Sequence, residues 1–224
     1  TKFNIKNNSF QIAPLNYEKK EDVNSIIIIN GDFKKGNLLK FKTISLEENK
    51  NKILINNLKL DKNFKVLDIE KANINYKNKN KILNKINLRK DDSNFIVEGD
   101  NLDLSKLIDN IMDSDDENSS IFENLNSRVD INIKKTYIDK INHLNNLSGY
   151  VILKNNKINN LILDADFPND KKISLTVLTN DAKETTTSLI TDYPKPLIKR
   201  YKFIKGFEEG NLNFKSIKKD GVSN

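Results

Sequence analysis

The sequence predicts a mostly β protein, a long antiparallel meander interrupted by two short helices near residues 103–112 and 194–203. Three observations point there. Apolar residues alternate with polar ones at a period of two, as on strands with one buried face. Polar turns centre near residues 34, 49, 63, 79 and 91, about 14 residues apart, which suits hairpins with long strands. Only two stretches carry apolar residues at helical spacing, so many one-sided strands have few helices to cover them.

Taken in order, Phe3, Ile5, Phe10 and Ile12 open the alternation and Pro14 ends it. Four consecutive Ile within Ser25–Asn30 read as a sheet centre. Strands follow at Leu38–Leu46 and Ile53–Leu60, then a longer one at Phe64–Tyr76 whose apolar parity shifts between Ile69 and Ala72, as at a β-bulge. Ile82, Ile86 and Leu88 line one face of the next strand. Phe95–Gly99 leads to a turn at Gly99-Asp100 and then to the first helix. There Leu104, Leu107, Ile108, Ile111 and Met112 form one stripe, and Asp103 or Ser105 can cap the start.

The second half repeats the pattern. Val129, Ile131 and Ile133 face one way, and Tyr137–Leu147 is ambiguous between strand and irregular structure. Leu161, Leu163, Ala165 and Phe167 make the cleanest alternation, followed by Ile173, Leu175 and Val177 and by a Thr-rich strand at Thr185–Thr191. Asp192 can cap a helix at Pro194–Phe203, with Leu197, Ile198 and Tyr201 as its apolar side. Gly210 opens a last strand with Leu212, Phe214 and Ile217. The chain reads as one elongated β-rich segment, 1–224, of a larger protein. It divides into a first meander with its helix, 1–112, and a second, 121–224.

Bulk properties narrow the function. The chain has 224 residues, net charge +7 and no Cys, so no disulfide or thiolate chemistry is available. Mean hydropathy is −0.62, and Asn and Lys supply much of that polarity. Lys is dispersed rather than blocked, which suits solvated strand faces better than a nucleic-acid surface. Aromatic residues are scattered and Arg is scarce, so no stacking platform for bases is expected. No run approaches the ~18 apolar residues of a membrane-spanning helix. The start, TKFNIKNNSF, reads as a fragment entered in mid-strand, with targeting information outside this chain.

Catalytic constellations are not expected. His143 is the only His and stands beside no nucleophile. Carboxylates such as Asp91-Asp92 and Asp115-Asp116 fall in turns, where solvation explains them. The loop Asp113–Ser120 has calcium-type carboxylates but lacks the Gly at its sixth position, and Asn124 stands where a bidentate Glu belongs. Neither a metal nor a cofactor is expected. The uncovered apolar faces do require something. A sheet must curl on itself, pack as a sandwich or hold an apolar ligand, since burial is worth about 25 cal/mol per Å².

Two segments resemble the AsmA-like family of bacterial envelope proteins, particularly its YhdP-like branch. GDNLDLSKLID (Gly99–Asp109) is similar to the family's strand-to-helix signature G-D-x-L-D-L-x-x-L-L. Thr185–Phe214 is similar to its closing segment, with Gly206, Gly210 and Leu212 matching G-x-x-x-G-x-L. Between them, RVDINIKKTYIDK and LSGYVILKNNKINNLILDADF resemble its strand–turn–strand middle. Phe207-Glu208-Glu209 and Asp192-Tyr193-Pro194 depart from the pattern. The resemblance implies a periplasmic protein anchored in the inner membrane through a segment outside this chain. It implies a sheet curled into an apolar trough (β-taco-like) that moves phospholipid between inner and outer membranes.

On that reading the groove candidates are Ile74, Ile86, Phe95, Leu161, Leu163, Phe167, Leu175 and Val177. Leu104, Leu107, Ile108 and Ile111 are candidates for a helical plug. The partners would be phospholipid acyl chains, with membrane contact made by parts outside the chain and no nucleic acid. The alternative is a scaffold that binds envelope proteins during outer-membrane protein assembly and carries no lipid, as TamB-type relatives suggest. Continuous inward Leu, Ile, Val and Phe favour acyl chains; inward Lys, Asn or Thr favour the scaffold.

Overall fold

A computed structural model describes residues 1–12, 15–34, 38–106, 124–201 and 209–219. Its strands are β1 (Lys2–Ile5), β2 (Phe10–Ile12), β3 (Tyr17–Lys19), β4 (Ser25–Lys34), β5 (Leu38–Glu48), β6 (Asn51–Leu60), β7 (Val66–Asp68) and β8 (Lys71–Lys77). They continue as β9 (Leu83–Asp91), β10 (Asn94–Asp103), β11 (Ser127–Tyr137), β12 (His143–Lys154), β13 (Lys157–Asp166), β14 (Lys172–Thr179), β15 (Glu184–Thr191) and β16 (Leu212–Lys219). A short helix, α1 (Lys195–Tyr201), precedes the last strand.

All but β2 and β3 form a single 14-stranded sheet in the order β1-β4-β5-β6-β8-β9-β10-β11-β12-β13-β14-β15-β16, with β7 also paired to β6. Tight turns make this possible in a chain with few glycines. Asn49, Asp92, Asn155 and Asn156 all have positive φ, between 51° and 65°. Asn and Asp tolerate this conformation because their short polar side chains bond to the local backbone. With both central residues in it, Asn155-Asn156 makes the primed turn whose twist matches the β12–β13 hairpin.

The structure corrects three expectations. The meander is not antiparallel throughout: β10 and β11 pair in parallel, Phe95 opposite Val129 and Gly99 opposite Ile133. The end of β10 and the start of β11 therefore fall on opposite margins of the sheet, since parallel neighbours run the same way. The strand expected at Phe64–Tyr76 is broken at Ile69-Glu70 into β7 and β8. The strand expected to stop at Gly99-Asp100 continues to Asp103 across a register shift between Gly99 and Asn101. The described residues form one large sheet whose outer strands, β1 and β16, do not pair with each other.

The helix at 103–112 is described only at its start, where Asp103 Oδ1 accepts from the Ser105 N–H at 2.9 Å. Leu107, Ile108, Ile111 and the loop 113–120 lie outside the described residues. The ambiguous stretch 137–147 contains the start of β12. At α1, the Pro194 carbonyl accepts the first helical bonds, from Leu197 and Ile198.

Because the hairpins alternate in direction, all strand ends fall on two margins. One carries Glu48, Lys77, Asp103, Tyr137, Asp166 and Thr191; the other carries Leu60, Asp91, Lys154, Thr179 and Lys219. Both fully buried clusters lie on the first. In one, Tyr17 packs on Leu46, Ile53 and Tyr76. In the other, Phe167 and Leu197 of α1 pack with Ile133, Ile138, Leu144, Leu147 and Ala165.

Candidate functional site: an apolar sheet face

Side chains of directly opposed residues share a face, so the registers define rows that cross the sheet. One row is apolar from β4 to β16. It runs Ile29, Ile44, Ile55, Ala72, Leu88 and Val97 across the first half. It crosses the parallel junction to Ile131 and continues through Gly149, Leu163, Leu175, Leu189 and Phe214. At about 4.8 Å per strand the row is about 50 Å long. Most of its members are half-buried, and Phe214 at the edge is 42 % exposed.

A second row flanks it toward the margin of Glu48 and Asp166. Ile27, Leu46, Ile53, Ile74, Ile86, Gly99, Ile133 and Leu147 are successive partners there. A third row lies toward the opposite margin: Phe95, Val129, Val151, Leu161 and Val177, then Thr187 and Ser216. The other side of the sheet is mainly polar. There Asp100 bridges Lys85 and Lys134 at 2.6 and 2.8 Å, Asn73 Nδ2 donates to Asn87 Oδ1 at 2.6 Å, and Arg128 stacks on Tyr150 at 3.8 Å. The sheet is thus amphipathic across its whole width.

All eight groove candidates fall on the apolar face. Leu163 and Leu175 stand in the middle row, Ile74 and Ile86 in the second, and Phe95, Leu161 and Val177 in the third. Phe167 follows β13 in the same alternation and is buried against Tyr193, ring to ring at 5.3 Å. It belongs to the packed margin rather than to an open surface. Leu104, the described plug candidate, packs on the same cluster.

Sequence reasoning did not single out Ile29, Ile44, Ile55 or Val97. In a run such as Ile26–Ile29 alternation cannot say which Ile faces which way; the register decides it.

Among the described residues, buried side-chain polar groups are hydrogen-bonded with one exception. Glu48 is buried and accepts from Tyr17 Oη, Ser25 Oγ (3.1 Å) and Asn51 Nδ2 (3.3 Å). Burial, and then the bond to that carboxylate, pushes the Tyr17 phenol well above its ordinary range. Lys19 is fully buried, its ammonium donating to the carbonyls of Lys6, Asn8 and Lys20 at 2.7–2.9 Å. The exception is Thr136 Oγ1, buried without a hydrogen-bond partner. Burial, with Lys135 nearby, lowers the His143 pKa.

Among the described residues no His, Asp or Glu cluster could hold a metal ion, and no helix is long and apolar enough to cross a membrane. No family model, no curated protein and no solved structure matches the chain.

Proposed function

We propose that the apolar face holds lipid acyl chains, and that the chain is a segment of an AsmA-like periplasmic protein that carries phospholipid between the inner and outer membranes. What supports the reading is the continuous middle row: apolar residues, most of them half-buried, over about 50 Å, longer than one extended acyl chain. Curling of the sheet into a trough, with the 103–112 helix as a plug, belongs to the same proposal. Transport is passive on this reading. Chains slide along the face while headgroups stay hydrated, and no residue performs chemistry.

The test is mass spectrometry of lipid co-purifying with the protein and with its Leu163→Asp and Leu175→Asp variants. Each places a carboxylate in the middle row, where an unpaired charge against hydrocarbon is strongly disfavoured. Lipid is expected with the wild type and depleted several-fold in both variants, with circular dichroism unchanged. Lipid-free wild-type protein sinks the proposal. One observation favours the scaffold reading: β16 is exposed along Asn213–Lys219, and after Phe214 its residues on the apolar face are Ser216 and Lys218. An open edge of that kind can add a strand from another protein. Lipid-free protein that captures an extended envelope-protein segment would select it.

A further inference from the structure

We infer that the β2–β3 hairpin is a displaceable occupant of the apolar face. It lies where an acyl chain would lie on β5, β6 and β8, and lipid lifts it as a unit. This rests on the lipid reading above and adds how the face is closed when empty. Phe10, Ile12, Leu15 and Tyr17 pack with Leu46, Ile53 and Ile74 of the second row and Ile55 of the middle row. That part of the face is thus covered by a piece of the chain itself.

Three features make that piece separable. First, β2 and β3 pair with each other in a small sheet of their own. Lifting them breaks no ladder of the large sheet, and a pair of three-residue strands has little stability apart from what it packs on. Second, Ile5 is paired with Ser25, so the chain leaves the large sheet and rejoins it at neighbouring points. The hairpin can swing out while β1 and β4 stay together.

Third, the buried polar groups divide along the seam. The Lys19 ammonium spends its three protons on the carbonyls of Lys6, Asn8 and Lys20, all on the same excursion of the chain, so it stays satisfied when that excursion moves as one. On the sheet side, Glu48 keeps Ser25 Oγ and Asn51 Nδ2 when Tyr17 departs. Bonds that do cross run from Tyr17 Oη to Glu48 and from Tyr76 Oη to the Leu15 carbonyl. The Lys79 N–H also donates to Asn16 O at 3.2 Å, and its ammonium meets Glu18 at 3.3 Å. These contacts lie at the margin, where water can replace either partner. The remainder of the seam is apolar, and an acyl chain can bury the sheet's share of it again. The hairpin's own share has no such replacement, so the closed form is the resting state and release requires lipid.

The chain has no Cys, so a Glu18→Cys/Lys79→Cys variant can be bridged by a short bis-maleimide at the place where the native side chains meet. The full chain, either bridged or with each thiol capped singly, is mixed with vesicles of phosphatidylglycerol carrying a diazirine in its acyl chain, and photo-adducts are mapped by strand. Adducts on β5, β6 and β8 should fall several-fold on bridging, while those on β13 and β14 hold. In the wild type, the same vesicles should speed hydrogen exchange of β2 and β3 several-fold and leave β12 unchanged. Equal adducts on β5, β6 and β8 with and without the bridge overturn the displaceable hairpin while leaving lipid carriage standing. So does exchange of β2 and β3 that lipid leaves unchanged. No adducts on any strand overturns both.

Discussion

Gly149 is the residue at which backbone geometry is least negotiable. Its φ is 139°, and a Cβ there would stand 2.0 Å from the Ile162 carbonyl oxygen. Gly149→Ala should therefore lower stability by about 1–3 kcal/mol or more, read as a fall in the thermal midpoint. Thr136 predicts the opposite sign. Its hydroxyl is buried with no partner, so the near-isosteric Thr136→Val removes a desolvated polar group. A gain of about 1 kcal/mol is expected by denaturant titration.

Asp100 gives a pH signature. Hydrogen bonds from Lys134 and then Lys85 hold its carboxyl at about 2, below the unfolded value near 3.9. Its contribution to stability is present above about pH 4 and is lost as pH falls toward 2. The thermal midpoints of wild type and Asp100→Asn should accordingly differ at pH 5 and converge by about pH 2. A difference that stays constant with pH would refute the assignment.

At the scale of elements, the N-terminal hairpin is held by both rings and charges. Phe10, Tyr17 and Tyr76 form an aromatic series with centroid spacings of 5.9 and 5.6 Å. Tyr17→Phe keeps that packing but withdraws a donor from buried Glu48. A loss of about 1–3 kcal/mol is expected, with hydrogen exchange of β2 and β3 rising more than that of β12 and β13. Uniform acceleration across the sheet would mean that the hairpin is not a separate latch. Alternation at period two made β13, β14 and β15 legible in the sequence. It could not reveal the break at Ile69-Glu70, because Leu67 and Ala72 each suit a strand and only pairing to β6 divides them.

At the scale of the molecule, the two halves meet at the parallel β10–β11 pair, which carries the middle row from Val97 to Ile131 without interruption. The lipid reading needs that junction. If Ile131→Asp abolished lipid retention by only one half, as seen by cross-linking a diazirine-bearing acyl lipid to each half separately, the row would act as two sites. A continuous face predicts that adducts shift on both sides of Ile131. The third row ends in Thr187 and Ser216, so adducts should thin out toward β16.

The sequence by itself determined the class of the protein and which residues alternate toward a common face. Alternation is local, because successive side chains on a strand must point to opposite sides. It was enough to choose Leu161, Leu163, Leu175 and Val177 together. The tertiary structure decided what local order leaves open: the registers that align those residues with Ile44 and Leu88, the parallel junction, and the margin that carries the two buried clusters. These depend on pairs remote in sequence, such as Tyr17 with Glu48 or Val97 with Ile131. Their choice is made by the energy of the assembled sheet, to which no single strand's pattern has access.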